Sequence, residues 1–280
     1  VLEPFQDDFM RRAILEMTLL GIAGGALGCW VVLYELSYAA ESLAHSIFPG
    51  LVIAAIAGVP LLLGAAPAIV LAALAIVLVS RLPGVSRDVG VAVVVTTMFG
   101  LGVLLALSPD SPPGIESLLF GDILGPTDAD LVSAAALVVV VAVALWLLHG
   151  RLLAVGFDRG SAAALGISPS LVDAALLVLL AAAIVVAVQG LGNLLVVAVF
   201  VGPAAAARQL SDRIGPMIAI AAGIAVLAGL GGLYLSYYVG TAGGASVALA
   251  IVALYLAALA LGRLRAPRPG NGAATEATIV

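Results

Sequence analysis

The chain has 280 residues, of which 64% are hydrophobic and 10% charged, with a formal net charge of -5. A mean hydropathy of +1.27 leaves too little polar surface to cover a soluble globule, so the chain reads as a polytopic membrane protein. All 11 basic residues are Arg. Without a Lys no Gly-x-x-x-x-Gly-Lys phosphate loop can be written, so any ATP must be hydrolysed by another chain. No basic patch with interleaved aromatics marks a nucleic-acid partner.

Apolar runs of about 20 residues recur along the chain, without the ten-residue alternation of a membrane barrel, so the spans are all-α. Residues 1–12 form an acidic amphipathic segment without a small-residue cleavage site, and no removable signal peptide is expected. The transmembrane domain covers 13–262, and 263–280, with three Arg and two Pro, is expected to be a disordered cytoplasmic tail.

The first span, 13–34, carries Gly21, Gly24, Gly25 and Gly28, small residues that let helices approach closely at the centre of a bundle. The single Cys29 in this run reads as a buried packing residue. Further spans are expected at 36–63, 65–80, 89–107, 131–148, 171–188, 191–207, 217–239 and 243–262. Segment 108–130 is a polar interruption holding Asp110, Glu116, Asp122, Asp128 and Asp130 without a single Arg.

About nine helices result, with 36–63 counted as one, and eight is the alternative. Cytoplasmic loops carry the excess of positive charge. With the Arg263 tail inside, the loops holding Arg208/Arg213, Arg151/Arg159 and Arg81/Arg87 all fall inside, and the acidic loop falls outside. Only Arg11 and Arg12 violate the rule, on an N-terminus that this count leaves outside; an eight-span count repairs that.

Glu41 and His45 place a carboxylate and an imidazole one helical turn apart, about 6 Å along the axis. An ionisable pair at membrane depth costs roughly 2.5 to 3.5 kcal/mol per charge on insertion scales, so it points to a pathway or binding site. Carboxylate and imidazole suit zinc, manganese or ferrous iron rather than copper(I). Two ligands do not make a tight site; the same pair on a second subunit would supply four. The structural alternative is a Glu41–His45 hydrogen bond near a helix end. Pro49-Gly50, just beyond, is expected to break or kink the helix and free backbone carbonyls. A second stretch, 190–213, reads as an apolar half ending in Gly202-Pro203, then a short amphipathic helix with Arg208, Asp212 and Arg213, suited to the interface or to a groove of a soluble partner.

The run 33–50, with Glu41, His45 and Pro49-Gly50, resembles the early signature of the zinc/manganese/iron family of ABC transporter permeases: an acidic residue, three residues, His, three residues, Pro-Gly. Segment 116–124, Glu-Ser-Leu-Leu-Phe-Gly-Asp-Ile-Leu, is similar to the family's Leu-Phe-Gly-x-Ile-Leu, and 157–166 and 190–213 follow in the family's order. The resemblance runs from about Phe5 to Leu261. It implies a type II-like importer permease in the bacterial plasma (inner) membrane, with no permanently bound cofactor and a divalent metal as cargo.

It also implies a permease homodimer, a cytoplasmic ATP-binding subunit and an extracytoplasmic solute-binding protein. By position, 204–215 resembles the family's coupling helix, which implies ATPase docking through Ala204, Arg208, Ser211, Asp212 and Arg213. One departure is Glu41, where the family usually has Asp; the oxygens move one methylene outward, which bears on the preferred metal. Two other readings remain at this point: a stand-alone proton-coupled secondary transporter with Glu41 as relay, and an ABC permease for a metal chelate. No internal repeat with paired broken helices supports the former.

Overall fold

A computed structural model describes residues 7–79, 82–83, 87–109, 111–115 and 117–265. These residues form ten helices and no strand: α1 (Asp8–Leu33), α2 (Ser37–Ala57), α3 (Leu61–Val79), α4 (Arg87–Ala106), α5 (Ser117–Phe120), α6 (Asp128–Phe157), α7 (Arg159–Ala164), α8 (Pro169–Arg208), α9 (Ile214–Val239) and α10 (Gly243–Arg265). All but α5 and α7, eight in total, are long and apolar enough to cross a membrane.

The 40-residue α8 is two limbs, because Gly192 has non-helical φ 73° and ψ 159°. At 1.5 Å per residue a straight helix of that length would run about 60 Å, twice a bilayer core. Side-chain contacts show that it folds back. One end of the bundle is marked by Arg12 Nη1 to Asp128 Oδ1 at 2.9 Å and by the Tyr237 hydroxyl to Asp7 Oδ2 at 3.4 Å. The other end is marked by the Tyr34 hydroxyl donating to the Leu152 carbonyl at 2.8 Å, and by Arg159 on Asp173.

Val172 lies beside Leu148 and Arg151 at this second end. Gly190 lies against Glu16 and Gly121 at the first end, and Ala204 lies against Gly28 back toward the second. Limb 169–190 therefore runs out and limb 193–208 runs back, so eight long helices make nine passes. The start of α1 lies beside Asp128 of the acidic segment, and the end holding Arg159, Arg208 and Arg213 is the cytoplasmic one by its charge.

α1 is the central helix. Gly21 and Gly25 face Ala225, Ala221 and Ala222 of α9, while Gly24 and Gly28 face Phe200 on the returning limb. Where lipid is as apolar as Leu, close van der Waals packing of small residues holds helices together. Cys29 is fully buried and unpaired in this region, as expected of a packing residue.

α2, α3 and α4 form a second group, in which Gly50 and Gly64 meet face to face and Gly102 abuts Phe48 and Pro49. The 36–63 segment holds one span, α2, as counted from the sequence, but the helix is shorter than those bounds. α2 stops at Gly58 (φ 66°), whose amide bonds the Ala55 carbonyl, and α3 starts at Leu61. A left-handed C-terminal residue of this kind is where glycine is preferred.

Of the break or kink expected at Pro49-Gly50, the break is absent, since α2 runs through both to Ala57. Proline is tolerated inside a membrane helix when neighbours pack around it. Here both residues are buried, and Gly50 serves the contact with α3. At the chain ends, α1 begins at Asp8 within the N-terminal amphipathic segment, and α10 extends to Arg265. The rest of the tail, 266–280, and Asp110, Glu116 and Arg81 lie outside the described residues.

Candidate functional site

α2 carries Glu41 and His45 on one face, as their spacing requires, with His45 Nε2 4.0 Å from Glu41 Oε1. The Glu41 side chain is 59% exposed and that of His45 24%, so the pair opens outward from this single chain. Behind it, Phe99 of α4 tilts against the imidazole with ring centroids 4.7 Å apart, and Phe48 packs on Phe99 at 5.6 Å. The ring is thereby held by an apolar wall on one side.

Its other nitrogen, Nδ1, lies 3.3 Å from Nδ2 of Asn193. Asn193 is fully buried and is the first residue past the Gly192 turn in α8, and its Oδ1 has no hydrogen-bond partner. Pro49 contributes indirectly: it has no N–H to give the carbonyl one turn earlier, which is that of His45. One carbonyl beside the imidazole is thus released without any interruption of the helix.

The set is one carboxylate, one imidazole and one buried amide. Among the described residues, no three His, Cys, Asp or Glu gather into a group able to hold a metal. The arrangement suits transient contact with a passing cation, which needs binding weak enough to release.

Glu16 and Asn193 are polar groups that the sequence reading passed over. Glu16 is buried in α1, and its carboxylate occupies the space a side chain at Gly190 would need. The available signal was a lone acid, and a lone amide after Gly-Leu-Gly, inside otherwise apolar runs. Periodicity analysis weights apolar residues and does not single these out.

At the cytoplasmic end the expected short helix after Gly202-Pro203 is not formed. α8 continues to Arg208 through an Ala-rich turn, 209–213 is an irregular connector, and α9 starts at Ile214. Alanine is the strongest helix former, so the run 204–207 extends the limb rather than starting a new element. Ala204 is buried against Gly28 and has no surface to offer a partner. Arg208, Asp212 and Arg213 are exposed and Ser211 is half-buried; Arg208 Nη1 is 3.8 Å from Asp212 Oδ1.

At the same end of the bundle, Arg159 makes a two-pronged contact with Asp173, 2.9 Å on each arm, and sits over the Tyr34 ring. The Asp158 carboxylate caps α7: it accepts from the Ser161 hydroxyl and from the Ser161 and Gly160 amides, which hold its carboxyl below the usual carboxylate range. Of the acids in the polar interruption, Asp128 pairs with Arg12, and Asp130 completes a capping box with Thr127 at the start of α6. Asp122 is exposed at the same end.

The model of the ABC 3 transport family matches residues 6–262. The chelated iron transport system membrane protein YfeC of Yersinia pestis is 34% identical over 250 residues, covering 89% of this chain and 85% of that protein. The manganese transport system membrane protein MntC of Listeria monocytogenes is 28% identical over 265 residues, covering 95% and 93%. In structure, the chain is similar to PsaBC from Streptococcus pneumoniae in complex with Fab, with a TM-score of 0.85, 26% identity and 92% of each chain covered. With nearly its whole described length matched, this multi-pass membrane protein belongs to the ABC 3 transport family.

Proposed function

We propose that this chain is the membrane-spanning permease subunit of an ATP-driven importer for divalent transition metals, manganese, iron or zinc. The observation that carries the reading is the Glu41–His45 pair, two hard-to-intermediate ligands one turn apart on a half-open face of α2. Relatives named for manganese and for iron transport, over most of their length, support the class of cargo.

The pair is open because one chain supplies only part of the coordination. A second copy facing it would bring two more ligands around the same ion, which is the role of the homodimer in this reading. The chain itself is no enzyme here: a cytoplasmic ATP-binding subunit hydrolyses ATP and docks at Arg208, Ser211, Asp212 and Arg213. An extracytoplasmic solute-binding protein delivers metal at the end that carries Asp122, Asp128 and Asp130. ATP binding and hydrolysis then move the two copies between outward-open and inward-open arrangements, with Glu41 and His45 holding the ion in passage.

Replacing His45 by Ala in the assembled transporter tests this. Uptake of radioactive manganese into proteoliposomes is expected to fall to background while the complex with the ATPase stays intact on size exclusion. Unchanged uptake would remove the pair from the pathway.

A further inference from the structure

Asn193 is a buried polar group to which the transport reading gives no role. A buried amide left with an unpartnered oxygen is destabilising, and Leu would fill the same volume without that cost. The residue stands where its amide reaches the metal-side imidazole, 3.3 Å from His45 Nδ1, directly after the Gly192 turn.

A neutral imidazole has one N–H and one lone pair, and whatever sits on Nδ1 decides what is left at Nε2. When the Asn193 amide donates to Nδ1, the ring proton is on Nε2, the nitrogen facing Glu41. No lone pair then points at an ion, and Oδ1 of Asn193 is the orphan. The two ends of an amide have the same shape, so the group can be turned over without displacing its neighbours. Turned over, Oδ1 accepts from Nδ1–H, and the Nε2 lone pair joins the Glu41 oxygens. Metal-bound histidines characteristically donate their second N–H to such an acceptor.

We propose that Asn193 is the positioning residue of the cation site: its carbonyl, turned to His45 Nδ1–H, opens Nε2 to a divalent ion, and its amide N–H, turned there instead, closes it. The proposal rests on the reading of Glu41 and His45 as the cation site. Asn193 also begins the limb that ends at the exposed connector 209–213, so a shift of that limb about Gly192 changes how the amide meets His45. This gives a physical route by which the cytoplasmic end sets the receptivity of the site.

The test uses the full chain in lipid nanodiscs with Zn2+ as a diamagnetic probe. Imidazole 15N shifts are recorded, with His45 told from His149, the only other His, by its loss in His45→Gln. Zn2+-loaded His45 is expected to carry its proton on Nδ1 and bind through Nε2. Asn193→Asp, which keeps an acceptor, retains Zn2+ affinity, whereas Asn193→Leu, which removes it, loses about 10–100-fold by calorimetry.

A Zn2+-loaded ring protonated on Nε2 overturns the proposal, as do Leu and Asp variants of equal affinity. The 15N measurement on the unaltered chain decides even where the Leu variant does not fold. Zn2+ binding that survives His45→Ala unchanged would sink the site reading and this proposal together. Binding that is lost in His45→Ala but indifferent to position 193 would sink this proposal alone.

Discussion

Replacing Gly192 by Ala is the most informative single change to the fold, because the whole back-folding of α8 passes through it. At φ 73° and ψ 159° the residue occupies a region that is essentially glycine-only, where a side chain costs about 1–3 kcal/mol. No compensating helix propensity is gained, since the residue is not helical. Gly223, on the open face of α9 with no atom close to where an added methyl would sit, is the internal comparison.

There, Ala is expected to stabilise by up to about 1 kcal/mol. Two Gly→Ala changes of identical chemistry should therefore differ by about 2–4 kcal/mol with opposite signs. Thermal unfolding of the detergent-solubilised chain measures this, and metal uptake follows the functional side. If the strain is relieved by straightening the turn, Asn193 is carried away from His45 and uptake falls as well. A Gly192→Ala chain as stable as Gly223→Ala, with normal uptake, would refute the folded-back limb.

At the α1–α9 contact, Gly25→Ala puts a methyl 2.8 Å from the Ala222 amide nitrogen and 3.0 Å from the Ala221 carbonyl carbon. Carbon contacts prefer about 3.5–4.0 Å, so the helices must separate by roughly 0.5–1 Å. The expected loss is about 1–3 kcal/mol in the same unfolding assay, and a neutral or stabilising result would mean that the two helices pack less closely than this. At the other end of the bundle, Asp158 has its folded-state pKa depressed, so its cap is present at neutral pH and is lost as pH falls through that lowered value. Hydrogen exchange at Gly160 and Ser161 should therefore lose protection on acidification beyond the intrinsic rate change. Asp158→Asn should be pH-independent; the same pH response in both would show that another group is titrating.

The sequence by itself determined the environment and the helical class, and narrowed the passes to eight or nine; the reversal at Gly192 decided for nine. Backbone groups in lipid have to be satisfied within each span, which leaves runs of apolar residues as legible as any signal in a protein. It also determined that Glu41 and His45 share a face, since four residues make about one helical turn whatever surrounds them. The close packing of Gly21 to Gly28 was readable for a similar reason: small residues at a four-residue spacing form a groove on their own helix.

What only the tertiary structure decided depends on neighbours far away in the chain. Pro49 and Gly50 read locally as a break, but burial against α3 and α4 keeps α2 intact. Gly202-Pro203 read as a boundary, yet the alanines after it continue the limb and bury Ala204 under Gly28. Asn193 is separated from His45 by 148 positions, and only the reversal at Gly192 brings its amide to the imidazole. Hydrophobic periodicity records which face of a helix is greasy, but a contact between two helices is set by where their connecting turns aim them.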